Sequence, residues 1–131
     1  MQKPVTVITS LIKNKDKFLI VKRKSTSKIH PNLWMFPGGK TKPKEDIIQT
    51  LKREIKEETN LEITILKKIS EYEYKRPDNT LTLGQCFLSF SKTKEVKINK
   101  ELEDFKWITK EEFKNYPHLK ELESELTFLN I

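Results

Sequence analysis

Alternating apolar and polar positions predict most of a β-sheet in this chain. Residues 5–12 alternate loosely, and the apolar signal returns at 17–21 after a short polar turn, so the two runs predict a hairpin. Polar residues at 24–32 predict a loop. Further strands are expected at the remaining apolar runs, 33–36, 61–69, 80–90 and 105–108.

The segment 44–58 carries the strongest helical pattern. At about 100° per residue, four apolar side chains share one stripe and three polar ones lie opposite or beside it. The stripe contains Ile47, Ile48, Leu51 and Ile55, and the solvent side contains Gln49, Lys52 and Lys56. Shorter helices are expected at 110–115 and 118–128. Strands, then a helix, then strands, then helices are typical of an α/β fold with a mixed sheet flanked by helices.

Three glutamates of this helix fall on one patch beside the apolar stripe. Glu54 and Glu58 lie at or inside the edge of the stripe, and Glu57 lies next to them. Like charges at these spacings repel, more so when they are desolvated, so the patch favours a bound cation. Oxygen ligands suit Mg²⁺ or Mn²⁺. The alternative is an ordinary solvated acidic face near a helix end.

Composition and charge limit the partners only loosely. The 131 residues and 15.6 kDa predict one domain, and the longest apolar runs are too short for a membrane span or a signal sequence, so a cytoplasmic protein without a membrane partner is expected. A net charge of +7 attracts polyanions in general, but the lysines are scattered rather than clustered. Cys86 is the only cysteine, which excludes an internal disulfide and a multi-thiolate zinc site and predicts a buried thiol.

Just before the helix, Phe36-Pro37-Gly38-Gly39-Lys40 brings two glycines together. Glycine lacks Cβ and permits positive φ, so backbone groups here are able to approach a metal or a phosphate closely. A simple turn is the competing interpretation.

The spacing of these residues resembles the Nudix box. Five residues separate Gly39 from Glu45, and seven more precede the run Arg53-Glu54-Ile55-Lys56-Glu57-Glu58-Thr59-Asn60-Leu61. Every fixed position of the box matches except Asn60, where the family usually has Gly. Because Asn adopts the left-handed conformation that ends helices more readily than most residues, Asn60 is expected to close the helix with little loss of stability.

The chain is also similar to the MutT branch of that family, through an Arg in the second strand, the run 34–40, and a Glu six residues before Trp107. The resemblance implies a three-layer α/β/α sandwich formed by one domain over residues 1–131. It implies that Arg53 orients Glu54 through a paired hydrogen bond and that Glu45 supports the site. It also implies a metal site of Gly38 (through its carbonyl), Glu54, Glu57, Glu58 and Glu101, with Arg53 as a further catalytic residue, and substrate contacts from Arg23, Trp34, Gly39 and Lys40. Glu101 either completes the metal site or acts as base, and Glu103 and Asp104 beside it are alternatives.

The function implied by the resemblance is Mg²⁺-dependent (or Mn²⁺-dependent) hydrolysis of a nucleoside triphosphate, or its deoxy form, to the monophosphate and pyrophosphate. An oxidised nucleotide such as 8-oxo-dGTP is one candidate substrate. Alternative substrates are pyrimidine triphosphates, ADP-ribose and dinucleoside polyphosphates, and a further alternative is a nucleotide- or RNA-binding module without catalysis. The expected partner is a small nucleotide, with no stable nucleic-acid complex and a monomeric or homodimeric state.

Overall fold

The computed structural model describes residues 4–25, 32–41, 45–76 and 78–129, without the side chain of Tyr74. Within these residues one mixed sheet contains seven strands, with one α-helix and two 3₁₀ helices around it. In chain order the elements are β1 (Val5–Asn14), β2 (Lys17–Arg23), β3 (Trp34–Met35), β4 (Gly38–Lys40), α1 (Ile47–Thr59), β5 (Ile63–Lys75), β6 (Leu81–Ser91), β7 (Leu102–Ile108), η1 (Glu111–Asn115) and η2 (Lys120–Leu129).

Strands β1 and β2 diverge, and this divergence opens the sheet. They pair only next to their hairpin, where Lys13 and Asn14 face Phe18 and Lys17. Further along, β4 pairs with β1 and β3 pairs with β2. The other edge of β1 pairs in parallel with β6, which pairs antiparallel with β5, and β7 pairs with β2. Two short strands are therefore inserted where β1 and β2 separate.

The sheet has an apolar core on each face, because alternate residues of a strand point to opposite sides. Ile8 and Leu19 belong to the core that contains Leu51 and Ile55 of α1. On the other face, a second core contains Leu11, Phe18, Ile20, Phe36, Phe113 of η1 and Leu126 of η2. The predicted α/β sandwich is confirmed, with 3₁₀ rather than α-helices in one outer layer.

Both ends of α1 are capped. The Asp46 carboxylate accepts a hydrogen bond from the Gln49 N–H at 2.9 Å, which places the first helical residue at Ile47. Asn60 has φ 64° and ψ 14°, and its N–H donates to the Lys56 carbonyl. The prediction that Asn60 closes the helix in the left-handed conformation is confirmed. Ile48 is exposed, against the predicted stripe, because it lies at the far margin of that stripe.

Two predicted strand limits are wrong around Pro37. The predicted strand 33–36 is reduced to Trp34–Met35, and the glycines that follow form β4 instead of a turn. Proline has no N–H for a strand ladder, which separates β3 from β4. Most of the predicted loop 24–32, and Lys44 at the predicted helix start, lie outside the described residues. No helix among the described residues is long and apolar enough to cross a membrane.

Candidate active site

The three glutamates of α1 differ in exposure as their helical positions predict. Glu58 is 8% exposed, whereas the Glu54 side chain is 20% exposed and that of Glu57 is 54% exposed. Advancing around the helix from the buried stripe toward solvent accounts for this order. The predicted position of Glu54 and Glu58 at the edge of the core is confirmed.

Glu58 is a buried carboxylate whose charge is only weakly compensated. Its Oε1 accepts a hydrogen bond from the Gly38 N–H at 3.0 Å. Burial raises the pKa of Glu58 to about 7, although the Gly38 N–H and the Arg23 charge lower it, and the charges of Glu54 and Glu101 raise it further. Within the part of the chain that the structure describes, no lysine or arginine forms an ion pair with it. A carboxylate in this position is stabilised by an additional cation.

Glu54 lies against the second glycine. A Cβ built on Gly39 would lie 2.6 Å from Oε2 of Glu54. Burial raises the pKa of the Glu54 carboxyl, the Arg53 charge opposes that shift, and nearby carboxylates including Glu57 and Glu101 add to it. The carboxylates around Glu54 and Glu58 therefore repel one another in the absence of a bound cation.

Arg53 donates hydrogen bonds to Glu57 and Glu45 rather than to Glu54, the partner predicted from the sequence. Its Nη1 donates to Glu57 Oε1 at 3.1 Å, and its Nη2 donates to Glu45 Oε2 at 3.3 Å. Its contact with Glu54 is an ion pair of 3.4 Å, so the predicted paired hydrogen bond to Glu54 is wrong. The reason is geometric: residues four apart lie on one helix face, whereas the next residue projects about 100° away.

The segment before β7 brings Glu101 to the same place. The Lys97 and Asn99 N–H groups donate to the last carbonyls of α1, those of Thr59 and Glu58, at 3.0 and 3.1 Å. The Asn99 Oδ1 in turn accepts from the Glu101 N–H at 3.0 Å. Asn99 is a positioning residue that the sequence analysis missed; its one local signal is an Asn two residues before an acid, a spacing that favours such a turn.

The alternatives to Glu101 point elsewhere. Glu103 forms an ion pair with Lys22 at 3.2 Å, and the Asp104 carboxylate accepts from the N–H of Phe105. Glu101 itself is exposed, yet its charge raises the pKa of both Glu54 and Glu58. Glu101 is therefore the acid of these three that we place beside Glu54 and Glu58, because its charge raises the pKa of both.

The two glycines are required for space rather than for positive φ. No described glycine has a positive φ, so the conformational reason proposed from sequence is wrong. A Cβ on Gly38 would lie 2.0 Å from the Ile8 carbonyl oxygen, because β4 is paired closely with β1. The absence of side chains lets β4 lie between β1 and the acidic side of α1.

A cleft of about 760 Å³ is lined by residues of both cores, with Val21 from the α1 side and Phe36 from the η2 side, and Glu58 reaches its wall from α1. All four predicted substrate contacts line it: Arg23, Trp34, Gly39 and Lys40. Trp34 is buried and meets the ring of Tyr116 edge to face at 5.1 Å between centroids. The Nε of Arg23 donates to the Met35 sulfur at 3.1 Å, and Lys40 is exposed on β4. The Arg23 charge acts on Glu58, and Lys40 lies on β4 with Gly38, whose N–H donates to Glu58.

The donor set at this end suits a hard divalent cation. It consists of carboxylates, one of them buried without an ion-pair partner among the described residues, which favours binding of a positive ion. No three His, Cys, Asp or Glu side chains of the described chain converge into a ready-made metal site. An ion bound here takes part of its coordination from water or substrate, as small hard cations do.

Comparison with known proteins decides the family. Residues 1–127 match the model of the NUDIX domain. The chain belongs to the Nudix family. It is 32% identical over 122 residues to the nucleoside triphosphatase NudI of Klebsiella pneumoniae (strain 342), covering 85% of this chain and 86% of that protein. NudI of Escherichia coli O17:K52:H18 is 30% identical over the same coverage.

Solved structures show the same fold for this Nudix protein. The MutT protein from Methanosarcina mazei Go1 superposes with a TM-score of 0.84 at 21% identity, covering 99% of this chain and 96% of that one. The solution structure of the Escherichia coli ORF135 protein gives 0.74 at 23% identity, with 98% and 88% covered. The family match and the triphosphatase relatives identify the chain as an enzyme, a MutT-like Nudix pyrophosphohydrolase that acts on phosphoanhydride bonds. Members of this family generally use a divalent metal.

The two glycines of this Nudix hydrolase should respond differently to Ala. Gly39→Ala meets the end of a side chain, so it should displace Glu54 and lower activity at least 10-fold with a small change in melting temperature. Gly38→Ala meets backbone and should destabilise the fold by about 3 kcal/mol or more. Thermal unfolding and kcat of both variants test this. Equal loss of stability in the two would contradict the assigned contacts.

Proposed function

We propose that the protein hydrolyses a nucleoside triphosphate, or its deoxy form, to the monophosphate and pyrophosphate in a Mg²⁺-dependent reaction. The supporting observation is a cleft that has the buried Glu58 carboxylate, Arg23 and Lys40 in its wall and a volume of about 760 Å³, which leaves room for a nucleoside beside them. The relatives named nucleoside triphosphatase favour a triphosphate over ADP-ribose and dinucleoside polyphosphates. We also propose that residues 1–131 form one hydrolase domain, in line with the match over 1–127.

The metal-binding residues we propose are Glu54, Glu57 and Glu58, with Glu101 and the Gly38 carbonyl completing the set. When bound, Mg²⁺ neutralises charge on the phosphoryl oxygens and acidifies a water molecule, and Mn²⁺ is able to replace it. Arg53 keeps Glu57 on the acidic face through its 3.1 Å hydrogen bond. The chemistry of the ligands favours Mg²⁺, because the protein offers oxygen donors in an incomplete cage.

The remaining residues bind substrate and move a proton. Arg23 and Lys40 bind phosphate oxygens, and Trp34 and the Gly39 backbone form the adjacent wall. Water attacks a phosphorus atom, the bond between the α- and β-phosphate groups breaks, pyrophosphate leaves, and the proton of the water passes to the carboxylate of Glu101. Glu57 is the alternative base, although Arg53 already occupies one of its oxygens.

A nucleotide panel tests this proposal. The panel contains ribo- and deoxynucleoside triphosphates, 8-oxo-dGTP, ADP-ribose and a dinucleoside polyphosphate, each with Mg²⁺ or with EDTA, and the products are identified by chromatography. Monophosphate and pyrophosphate should form from triphosphates in the samples that contain Mg²⁺ and not in those that contain EDTA. Hydrolysis confined to ADP-ribose or dinucleoside polyphosphates, or release of inorganic phosphate only, would overturn it. A Glu58→Gln preparation purified in parallel measures contaminating phosphatase.

A further inference from the structure

The end of the cleft away from the box contains a buried carboxylate that the proposed reaction does not use. Glu125 of η2 is 4% exposed and lines the cleft together with Ser70 of β5. Its two oxygens lie 2.8 and 2.7 Å from the Ser70 hydroxyl, which donates to them. Within the described ranges, no Lys or Arg forms an ion pair with Glu125. A buried acid without a cationic partner is unfavourable unless other donors reach it.

Sheet register connects this carboxylate to the acidic end. Gly38 of β4 faces Thr9 of β1, Thr9 faces Cys86 of β6, and Cys86 faces Ser70 of β5. Partners directly opposite one another lie on one face of a sheet, so these residues form a row across four strands. Three strand spacings place Gly38 and Ser70 roughly 14 Å apart. That span is comparable to the distance from the phosphates of an extended nucleotide to its base.

The bonding capacity of Glu125 is only partly used inside the protein. An ionised carboxylate has about four acceptor positions, and the Ser70 hydroxyl has a single proton to donate. Burial, and then the Glu125 charge, raise the pKa of the Cys86 thiol, so the thiol stays neutral. Its hydrogen bond to the Glu125 carboxylate is therefore a weak one. Acceptor positions therefore remain for donors that enter from the cleft.

The rest of this end of the cleft suits a flat aromatic ligand. Leu119, Leu122 and Tyr72 line it. Apolar and aromatic walls with a few fixed polar groups are typical of sites that bind an organic ring and select its orientation. Because Glu125 lies across the sheet from the phosphate-binding residues, the ring that reaches it is the base of the nucleotide.

We propose that Glu125, oriented by Ser70, selects a guanine-type base by accepting hydrogen bonds from its ring N1–H and its exocyclic 2-amino group. This inference rests on the nucleotide hydrolysis proposed above. A carboxylate is an acceptor pair, and guanine is the common base with two adjacent donors on its pairing edge. Adenine and cytosine present one donor beside an acceptor, and uracil presents one donor between two carbonyls. The 8-oxoguanine base keeps the same donor pair and fits equally.

Binding of nucleoside 5′-monophosphates tests this without depending on catalysis. Calorimetry with the full chain should give at least 10-fold tighter binding of GMP than of IMP, which lacks the 2-amino group, or of AMP. Similar affinities for GMP and IMP would overturn the proposal, and this comparison needs no variant. The nucleotide panel described above is run in parallel, with ITP added: inactivity on every triphosphate with intact GMP selectivity contradicts the proposed reaction and supports the base assignment.

The variants test the residue itself. Glu125→Gln keeps the shape of the side chain but replaces one acceptor by a donor, so the GMP to IMP ratio should fall below about 3-fold, with a larger effect on KM for GTP than on kcat. Ser70→Ala should reduce the ratio partially, and it carries the test if Glu125→Gln does not fold. Glu121→Gln is the matched control, because Glu121 is exposed on the same helix and also lines the cleft. An unchanged ratio in Glu125→Gln, or an equal loss in Glu121→Gln, would exclude Glu125 as the selecting residue.

Discussion

Glu58→Gln is expected to lower kcat of nucleotide hydrolysis by roughly three orders of magnitude and, at the same time, to stabilise the metal-free protein. The loss of activity follows if Glu58 is a metal ligand, because the neutral amide cannot replace a carboxylate beside a hard cation. The gain in stability follows from burial. The Gln side chain keeps an oxygen for the Gly38 N–H and removes the charge that burial disfavours.

The stabilisation of Glu58→Gln relative to the wild type should grow as pH rises. The pKa of Glu58 rises from 4.5 to about 7 on folding, so the folded state binds its proton more tightly than the unfolded state. Well below pH 4.5 Glu58 is protonated in both states, so its burial costs the wild type no stability. As pH rises from 4.5 to 7 the unfolded state ionises first and the wild type loses stability, and above pH 7 this loss is on the order of 3 kcal/mol.

Thermal unfolding in EDTA at pH 4.5 and pH 8 therefore separates the two effects. The variant should melt several degrees above the wild type at pH 8 and close to it at pH 4.5. Glu62→Gln is the control: Glu62 is exposed just beyond α1 and forms a surface ion pair with Lys56 at 3.7 Å. That variant should change neither activity nor melting temperature. Retention of a tenth or more of wild-type kcat in Glu58→Gln, or no stabilisation at pH 8, would refute the role assigned to Glu58.

The parts of the site that the sequence predicts well are those governed by local geometry. Helical periodicity orders the exposure of Glu54, Glu57 and Glu58, because the angle between residues of one helix is nearly constant. The conformation of Asn60 is likewise a local matter, since the end of α1 requires a left-handed residue there. The fold class follows from the order of strands and helices and from the resemblance of the box.

Long-range contacts explain what the sequence does not predict. Strand β4 exists because β1 offers a free edge after it leaves β2, and nothing within the Gly-Gly pair indicates this partner. Glu125 has the appearance of a surface acid in a polar terminal segment. It is buried because Ser70, 55 positions earlier in the chain, comes to lie beneath η2. No local pattern encodes that distance.

Glu101→Gln is expected to lower kcat by about 10² or more, whether Glu101 accepts the proton of the water or completes the metal site. Its charge acts on both Glu54 and Glu58, and the Asn99 hydrogen bonds hold its backbone to the end of α1. Glu103→Gln is the matched control.

That control removes an acid of the same type from a position two residues away, where the side chain forms an ion pair with Lys22 at 3.2 Å. It should therefore stay within about twofold of wild type, as expected for an exposed ion pair of little energetic value. Comparison of steady-state kcat and of Mg²⁺ binding by calorimetry for the two variants separates the two roles of Glu101. A base leaves Mg²⁺ affinity intact, whereas a ligand lowers affinity and turnover together. If Glu103→Gln proves the more damaging change, the role assigned to Glu101 moves to Glu103 on β7.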